Sequence, residues 1–481
     1  MRIGQTSSIV FGAKLLTSVV GFVATLYFAR VLGAEVLGYY ALALVVANWL
    51  KLVGDAGISS AVKKRVSEET DPSAYFTAGL IMIGGFGLVA SVLIAVFRDT
   101  LNSYVGADVA PYIIIILLVG LAVSITNAGL EGKRLVHVTG MLSPVLTGGR
   151  SLIQIVLVLA GFGLTGMLLG FATGGLLVLV IGIVILSVRI RRPTVTQFRS
   201  LFDYAKFSWL GNLRGRSFND IDIIVLGAFV SPTLVGIYSI TWNLTSFVGV
   251  FASSIRQTLF PELSYANAQK QDELFQTLIT DSIAFTGLIA IPGLFGSILI
   301  GDRLLRIYGD EFTRGTVVLG LLILSMLIYD YQAQLLNALN SLDRPDISFR
   351  VNFIFVGANL AMNVMFVRSF GWVGAAVATV VAATIGLVLS LYYLRSLVRF
   401  ELPEGEIGNQ LAAAVVMGLV VGGTRAGVES AFSSIHNMTF VVGLVALGAG
   451  VYFVTLLSIS TKFRTTIQDN TPITLPSVFQ Y

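Results

Sequence analysis

Val31-Leu-Gly-Ala34, followed by Gly38-Tyr-Tyr40, recurs later in the chain as Val225-Leu-Gly-Ala228, followed by Gly236-Ile-Tyr238. A second repeat has nearly the same offset and pairs Phe162-Gly-Leu-Thr-Gly166 with Phe370-Gly-Trp-Val-Gly374. Two repeats at nearly one offset are hard to obtain by chance, even in an apolar sequence. The chain is therefore predicted to contain two copies of one structural unit.

The composition is that of a membrane protein, because 55% of the residues are hydrophobic, 12% are charged and the mean hydropathy is +0.86. Soluble domains carry about 25% charged residues. A membrane-spanning helix needs about 20 mostly apolar residues, and no alternating barrel-type strands are found. We therefore predict an all-α integral membrane protein with about 14 transmembrane helices. The predicted spans are residues 7–30, 36–54, 74–97, 110–130, 138–160, 164–188, 203–226, 232–255, 275–300, 315–337, 347–367, 372–395, 407–424 and 437–459.

The basic residues predict the topology. Most of the 31 Lys and Arg lie at the chain ends or in loops after even-numbered spans, so both termini are predicted to be cytoplasmic. The repeated motifs lie six spans apart, which predicts two parallel six-helix bundles. Polar segments after the second and eighth spans, Ser60–Glu69 and Ile255–Glu273, predict amphipathic helices in the cytoplasmic interface. The predicted domains are an N-terminal lobe (1–200), a C-terminal lobe (201–400), two additional transmembrane helices (401–460) and a disordered cytoplasmic tail (461–481).

Charged residues inside the predicted spans indicate where function is expected. A charge at the centre of a membrane helix costs about 2.5 to 3.5 kcal/mol, so such residues usually face a bundle interior or a water-filled cavity. The cations are costly unless an anion binds them, whereas the carboxylates are candidates for ion coupling or for pairing with these cations. The predicted cavity cations are Lys14, Lys51, Arg150, Arg214 and Arg216, and the predicted coupling or pairing carboxylates are Asp55, Asp220 and Asp330.

Other polar residues in the spans are interpreted as structural. Isolated amides such as Gln334 and Asn337 are expected to form hydrogen bonds between helices. Asp281 lies near a cytoplasmic helix end and is also expected to be structural. Arg216 and Asp220, four residues apart, are expected to pair on one helical turn, which leaves Arg214 without an obvious local partner.

The cations predict the chemistry of the substrate. Arg and Lys side chains in a water-filled cleft between two lobes favour phosphate, because guanidinium stays charged and offers a forked set of donors. The phosphate or pyrophosphate of a lipid carrier, bearing sugars, fits this chemistry. No Gly-rich phosphate loop precedes a Lys-Ser/Thr pair, so direct use of ATP is not expected. The chain contains no cysteine, which excludes disulfides and thiol chemistry.

The sequence resembles the oligosaccharide and polysaccharide flippases of the multidrug, oligosaccharidyl-lipid and polysaccharide exporter superfamily. This resemblance implies two six-helix bundles around a central cavity, and alternating access that moves a lipid-linked oligosaccharide from the cytoplasmic to the outer leaflet. The first two spans also look like the lipid II flippase branch, which implies a basic cavity role for Lys51. That branch tends to have basic residues in span 1, where this chain has Ser18 and Ala24. The motifs that carry the resemblance are Ala29-Arg-Val-Leu-Gly-Ala34, Gly38-Tyr-Tyr-Ala-Leu42, Gly54-Asp-Ala-Gly57, Leu259-Phe-Pro-Glu-Leu-Ser264, Leu339-Asn-Ser-Leu-Asp-Arg-Pro345 and Gly371-Trp-Val-Gly-Ala-Ala-Val-Ala-Thr379.

Two alternative functions stay open on the sequence. A multidrug or cation antiporter of the same superfamily shares the helical core but is expected to have an acidic cavity. A membrane glycosyltransferase or polymerase is expected to have acidic catalytic groups and a long loop or soluble domain, and neither is evident. The expected partners are a lipid-linked glycan, membrane lipids and a coupling Na⁺ or H⁺, without a metal cofactor or nucleic acid. The expected location is the plasma membrane.

Overall fold

The computed structural model describes the backbone of residues 3–68, 72–431 and 436–470, and the side chains of residues 20–68, 72–206, 215–431 and 436–468. All regular secondary structure in these ranges is helical, which confirms the predicted all-α fold. Twelve helical segments in them are long and apolar enough to cross a membrane. They account for the predicted spans apart from the first and the seventh, whose side chains are described only in part.

The first compact unit comprises Met1–Ser239. A π-helical turn, Val145–Gly149, joins its sixth and seventh helices. The ninth helix contacts the first three helices within this unit. The division of the chain at residues 200 and 400 stays a prediction. The helices of the unit are α1 (Ile3–Asp55), α2 (Ile58–Glu68), α3 (Ser73–Val96), α4 (Arg98–Val105), α5 (Ala110–Gly132), α6 (Val136–Pro144), α7 (Arg150–Leu159), α8 (Gly163–Leu186) and α9 (Val195–Phe229).

The second compact unit comprises Ile240–Tyr481. Its first helix begins in the preceding unit, and a 3-10 turn, Asp310–Gly315, precedes its third helix. The unit contains two clusters of buried apolar side chains. One of them includes residues from both of the additional helices that were predicted for 401–460. The helices are α10 (Pro232–Ala268), α11 (Asp272–Arg306), α12 (Thr316–Ser341), α13 (Pro345–Phe370), α14 (Trp372–Leu397), α15 (Glu404–Ala431), α16 (Asn437–Ile459) and α17 (Thr461–Asn470).

Gly33 divides α1 into two helices. Its φ of 78° and ψ of 174° are not helical, and glycine adopts such a positive φ without the steric cost of a Cβ atom. The two predicted spans, residues 7–30 and 36–54, therefore lie on either side of a bend in one continuous element. The glycine of the first repeated motif is the residue that forms this bend.

The glycines of the repeat also pack against each other's helices. A Cβ atom added to Gly38 would overlap the backbone carbonyl of Pro232, and one added to Gly236 would overlap the carbonyl of Ala34. Pro232 lies four residues before Gly236, and Ala34 lies four residues before Gly38. The second half of α1 and the start of α10 therefore cross with their backbones in contact, and corresponding residues of the two motifs make corresponding contacts.

The two predicted interfacial segments have different structures. The first is the short helix α2, which buries Ala61 and Val62 on one face, so a helix here is confirmed, whereas its place in the cytoplasmic interface stays a prediction. The second segment, Ile255–Glu273, does not form a separate helix, because α10 continues through most of it and α11 begins at its end. Leu263 and Ala266 are fully buried in an apolar cluster, and this packing keeps the end of α10 against the bundle.

The predicted disorder of the tail is wrong for its first ten residues, which form α17. The Ser460 hydroxyl accepts a hydrogen bond from the Phe463 N–H at 2.9 Å and therefore caps the helix. The Phe463 ring stacks on Phe453, with 6.1 Å between the ring centroids. Lys462 forms an ion pair with Asp281 of α11, which agrees with the structural role expected for that carboxylate. These contacts outweigh the polar composition of the segment.

Replacing Phe463 with alanine is expected to destabilise the packing of α17. Phe463 is 7% exposed and belongs to a buried apolar cluster, and Phe→Ala changes in such positions cost about 3 to 5 kcal/mol. The measurement is the melting temperature of the purified protein, which should fall by several degrees. Thr465→Ala, at an exposed position of the same helix, is the control and should leave the melting temperature unchanged. Equal melting temperatures for Phe463→Ala and the wild type would show that α17 does not pack on the bundle in solution.

Candidate functional site

The π-helical turn determines where Arg150 lies. This turn, Val145–Gly149, follows Pro144 and ends directly before Arg150. Two glycines of α8 then allow α7 to approach closely. A Cβ atom added to Gly174 would lie 2.9 Å from Arg150 Cα, and one added to Gly170 would lie 2.9 Å from the Gln154 backbone nitrogen. Both distances are shorter than real Cβ contacts, so glycine is required at both positions.

Arg150 is held by an aromatic ring and not by a carboxylate. Its guanidinium carbon lies over the Phe171 ring, 4.6 Å from the centroid. Among the described residues, no Asp or Glu oxygen lies within 4.0 Å of its guanidinium group. One turn further along α7, Gln154 Nε2 donates to Met167 O at 2.7 Å and to Tyr40 Oη at 2.9 Å. Arg150 is therefore a partly buried positive charge without a counter-ion among the described residues.

Lys51 lies on α1, where its side chain packs against Gly120 of α5. A Cβ atom added to Gly120 would lie 3.2 Å from Lys51 Cδ and 3.9 Å from Nζ. Lys51 interacts electrostatically with Asp55 and with Arg216. Asp55 also accepts a hydrogen bond from the Ser59 N–H at 2.8 Å, which stabilises the start of α2. Asp55 therefore has a structural role in addition to its position beside Lys51.

Arg216 and Asp220 form the predicted pair on α9. Arg216 Nη1 and Asp220 Oδ2 are 3.1 Å apart, and the Asp220 side chain is 10% exposed whereas that of Arg216 is 35% exposed. The structure thus brings Lys51, Asp55, Arg216 and Asp220 into one mixed cluster in the first unit. The two other predicted cations, Lys14 and Arg214, lie outside the residues whose side chains are described.

Asp330 lies in the second unit, within a set of polar contacts between α12 and α10. Its Oδ1 atom is 3.8 Å from Arg256 Nη1. Further along α12, Gln334 Nε2 donates to Ala252 O and Asn337 Nδ2 donates to Arg256 O, both at 3.1 Å. The interpretation of these two amides as interhelical hydrogen-bonding groups is confirmed. The role of Asp330 in ion coupling stays a prediction.

Several residues of the site were not predicted from the sequence. Tyr40, Gln154 and Phe171 lie close to Arg150. Tyr and Phe are common in membrane helices, so composition offered no signal for them. A signal was available for Gln154, because it follows Arg150 by four residues and therefore lies on the same helical face.

Comparison with known proteins places these features in a family. The family profile described as "Polysaccharide biosynthesis protein" matches residues 27–315. The probable flippase AglR of Haloferax volcanii is 29% identical over 473 residues, which cover 97% of this chain and 98% of AglR. The probable low-salt glycan biosynthesis flippase Agl15 of the same organism is 28% identical over 459 residues, covering 94% of each chain. These matches confirm the resemblance to polysaccharide flippases.

Solved structures support the fold. A lipid II flippase MurJ in an inward closed conformation aligns with a TM-score of 0.78 at 15% identity, covering 96% of this chain and 99% of that one. An inward-facing multidrug resistance MATE transporter of the MOP superfamily aligns with a TM-score of 0.64 at 14% identity, covering 78% of this chain and 94% of that one. At this level of identity the similarity concerns the fold alone. With a profile match over more than half of its length, the chain belongs to the polysaccharide biosynthesis protein family.

Proposed function

We propose that the protein is a flippase that moves a lipid-linked oligosaccharide across the membrane by alternating access. The two relatives with near-complete coverage are both named as flippases, and one name refers to glycan biosynthesis. The substrate is a glycan on a polyprenyl phosphate or pyrophosphate carrier, and the product serves polysaccharide or glycoprotein assembly. The protein acts as a transporter and not as an enzyme.

The observation that carries this proposal is the environment of Arg150. Its charge lies in a segment long and apolar enough to span the membrane, against an aromatic ring and without a carboxylate within ion-pair distance among the described residues. An unneutralised charge in a membrane is costly, so an anion is expected to visit it. The phosphate of a lipid carrier is an anion that is already anchored in the membrane.

Direction and energy source form part of the proposal. Both termini are cytoplasmic in the plasma membrane, so the glycan is loaded from the cytoplasmic leaflet and released in the outer leaflet. The cycle is coupled to Na⁺ or H⁺, or to the membrane potential, which supplies about 2.3 kcal/mol per charge at 100 mV. Asp55, Asp220 and Asp330 are the candidate coupling carboxylates. Asp220 pairs with Arg216, so its role in coupling requires this ion pair to open during the cycle.

Lipid extraction from a deletion strain tests the proposed function. We expect one lipid-linked glycan to accumulate on the cytoplasmic side, because its assembly continues while its export stops. Treatment of inside-out and right-side-out vesicles with a glycosidase would show on which leaflet it lies. Restoration of export by the wild-type gene is the control. A deletion strain with unchanged lipid-linked glycans would contradict the proposal.

A multidrug or cation antiporter is the second candidate, because the fold aligns with a MATE transporter at a TM-score of 0.64. Cation export requires acidic groups that are free to bind the substrate. In the described part of the first unit, Asp55 caps α2 and Asp220 pairs with Arg216, whereas Arg150 has no acidic neighbour. Increased sensitivity of the deletion strain to cationic drugs, with unchanged glycans, would favour the antiporter.

A further inference from the structure

The hydrogen bonds of Gln154 fix the direction of the Tyr40 hydroxyl proton. Met167 O is a carbonyl oxygen and can only accept, so the group that contacts it at 2.7 Å must be the amide nitrogen of Gln154. The second proton of that nitrogen is donated to Tyr40 Oη at 2.9 Å. Tyr40 is therefore the acceptor in this bond, and its own O–H proton points elsewhere.

Arg150 and Tyr40 both need an acceptor. Gln154, which contacts Tyr40 at 2.9 Å, lies one turn after Arg150 on the same face of α7, and the Arg150 and Tyr40 side chains interact electrostatically. A guanidinium group carries five N–H donors and no acceptor, so it cannot accept the Tyr40 proton. No described residue accepts that proton, and none provides a carboxylate within 4.0 Å of Arg150. Arg150 on α7 and the Tyr40 hydroxyl on α1 are thus two neighbouring donors that no described residue accepts.

We propose that Arg150 and Tyr40 form a binding station for a phosphate group, in which the phenol hydroxyl donates to the same anion as the guanidinium. This inference rests on the proposed flippase function and adds Tyr40 as a substrate-binding residue. A phosphate offers several oxygens, so it can accept the forked donors of Arg150 and the single O–H of Tyr40 together. Phe171 covers one face of the guanidinium, which directs its N–H edge to the ligand.

The station lies on the same face of α1 as Lys51. Tyr40 and Lys51 are eleven residues apart, which is about three turns and about 16 Å along a helix. In the proposed topology Lys51 is near the cytoplasmic end and Tyr40 is nearer the outer end. A phosphate that first binds at Lys51 therefore finds a second station further along the helix. The carrier phosphate is passed between the two stations during transport.

A binding experiment with a defined lipid phosphate tests the station. The probes are farnesyl phosphate and its uncharged analogue farnesol, measured by microscale thermophoresis on the purified full-length protein. All variants carry Lys51→Gln, so that the Lys51 station does not contribute. Adding Tyr40→Phe, which removes one hydrogen bond to a charged group, should weaken farnesyl phosphate binding about 10-fold or more. Farnesol binding should not change.

Tyr39→Phe is the matched control, because the neighbouring Tyr39 hydroxyl donates to Glu35 and is not directed to Arg150. It should leave farnesyl phosphate binding unchanged. The melting temperature of each variant establishes that it is folded. Because Tyr40→Phe is a conservative change, it tests the contribution of the Tyr40 hydroxyl to phosphate binding without the need for Arg150 variants.

Two results would overturn the proposal in different ways. Equal farnesyl phosphate affinity for Lys51→Gln with and without Tyr40→Phe would remove Tyr40 from the site but leave the proposed function intact. A wild-type protein that binds farnesyl phosphate no better than farnesol would contradict both the station and the proposed function.

Discussion

Replacing Arg150 with alanine is expected to abolish export of the lipid-linked glycan while the protein stays folded in the membrane. The guanidinium supplies a full charge and up to two parallel hydrogen bonds to a phosphate. Each hydrogen bond to a charged group contributes about 1.5 to 3 kcal/mol, so the loss corresponds to about 100-fold or more in affinity. The measurement is glycan export in a complemented flippase-null strain. Membrane extracts quantify the amount of folded variant.

Arg98→Ala is the control for this prediction. Arg98 lies on the short helix α4, is largely exposed and, among the described residues, forms an ion pair only with its neighbour Asp99, so its removal should not affect export. Arg214→Ala is also expected to abolish export, although that expectation rests on the sequence alone. Normal glycan export by both the Arg150 and Arg214 variants would contradict the assignment of these cations to the substrate path.

Alanine at Gly38 or Gly236 is expected to have the largest effect on folding. The added Cβ atom would overlap a backbone carbonyl, of Pro232 in one case and of Ala34 in the other. A backbone atom cannot rotate away as a flexible side chain can, so the two helices must separate. Overpacking costs about 1 to 3 kcal/mol and occasionally more, and these variants should lie at or above the upper end. Melting temperature and yield of monodisperse protein measure the effect.

Gly84→Ala is the matched control, because Gly84 lies in the membrane helix α3 and a Cβ atom there would meet no atom within 4 Å. It should be at least as stable as the wild type, since alanine favours helix more than glycine does. A Gly38 or Gly236 variant as stable as the Gly84 variant would show that the helices do not cross with their backbones in contact.

The sequence was sufficient for the fold class and for most helix positions, because an apolar run of about 20 residues has few other uses. It was not sufficient where tertiary packing determines whether a polar segment is helical and contacts the bundle. The end of α10 and the helix α17 are polar enough to suggest an interfacial segment and a disordered tail, yet buried contacts of Leu263 and Phe463 hold them in helices against the bundle. Such contacts join residues that are distant in sequence and leave no local pattern.

The candidate site was predicted in part for a similar reason. A charge inside an apolar segment is visible in one sequence, so Lys51, Arg150 and Arg216 could be named as candidates from it, and their role in the cavity stays a prediction. The capping of α2 by Asp55 depends on where α1 ends, which the composition does not specify. The donors and rings around Arg150 belong to residue types that usually serve packing. Only the three-dimensional arrangement separates Tyr40 from the other tyrosines of the membrane helices.

The π-helical turn before Arg150 has a consequence for the evolution of the family. A π-helical turn contains one residue more than the corresponding α-helical turn. Deletion of a single codon within 145–149 would therefore let this turn close as an α-helical turn and leave Arg150 and Gln154 directed to α8 and Tyr40. In a regular α-helix, by contrast, removing one residue rotates everything after it by about 100°. Homologues with a one-residue gap at this position should therefore keep the arginine, and this correlation can be read from genomes without any further structure.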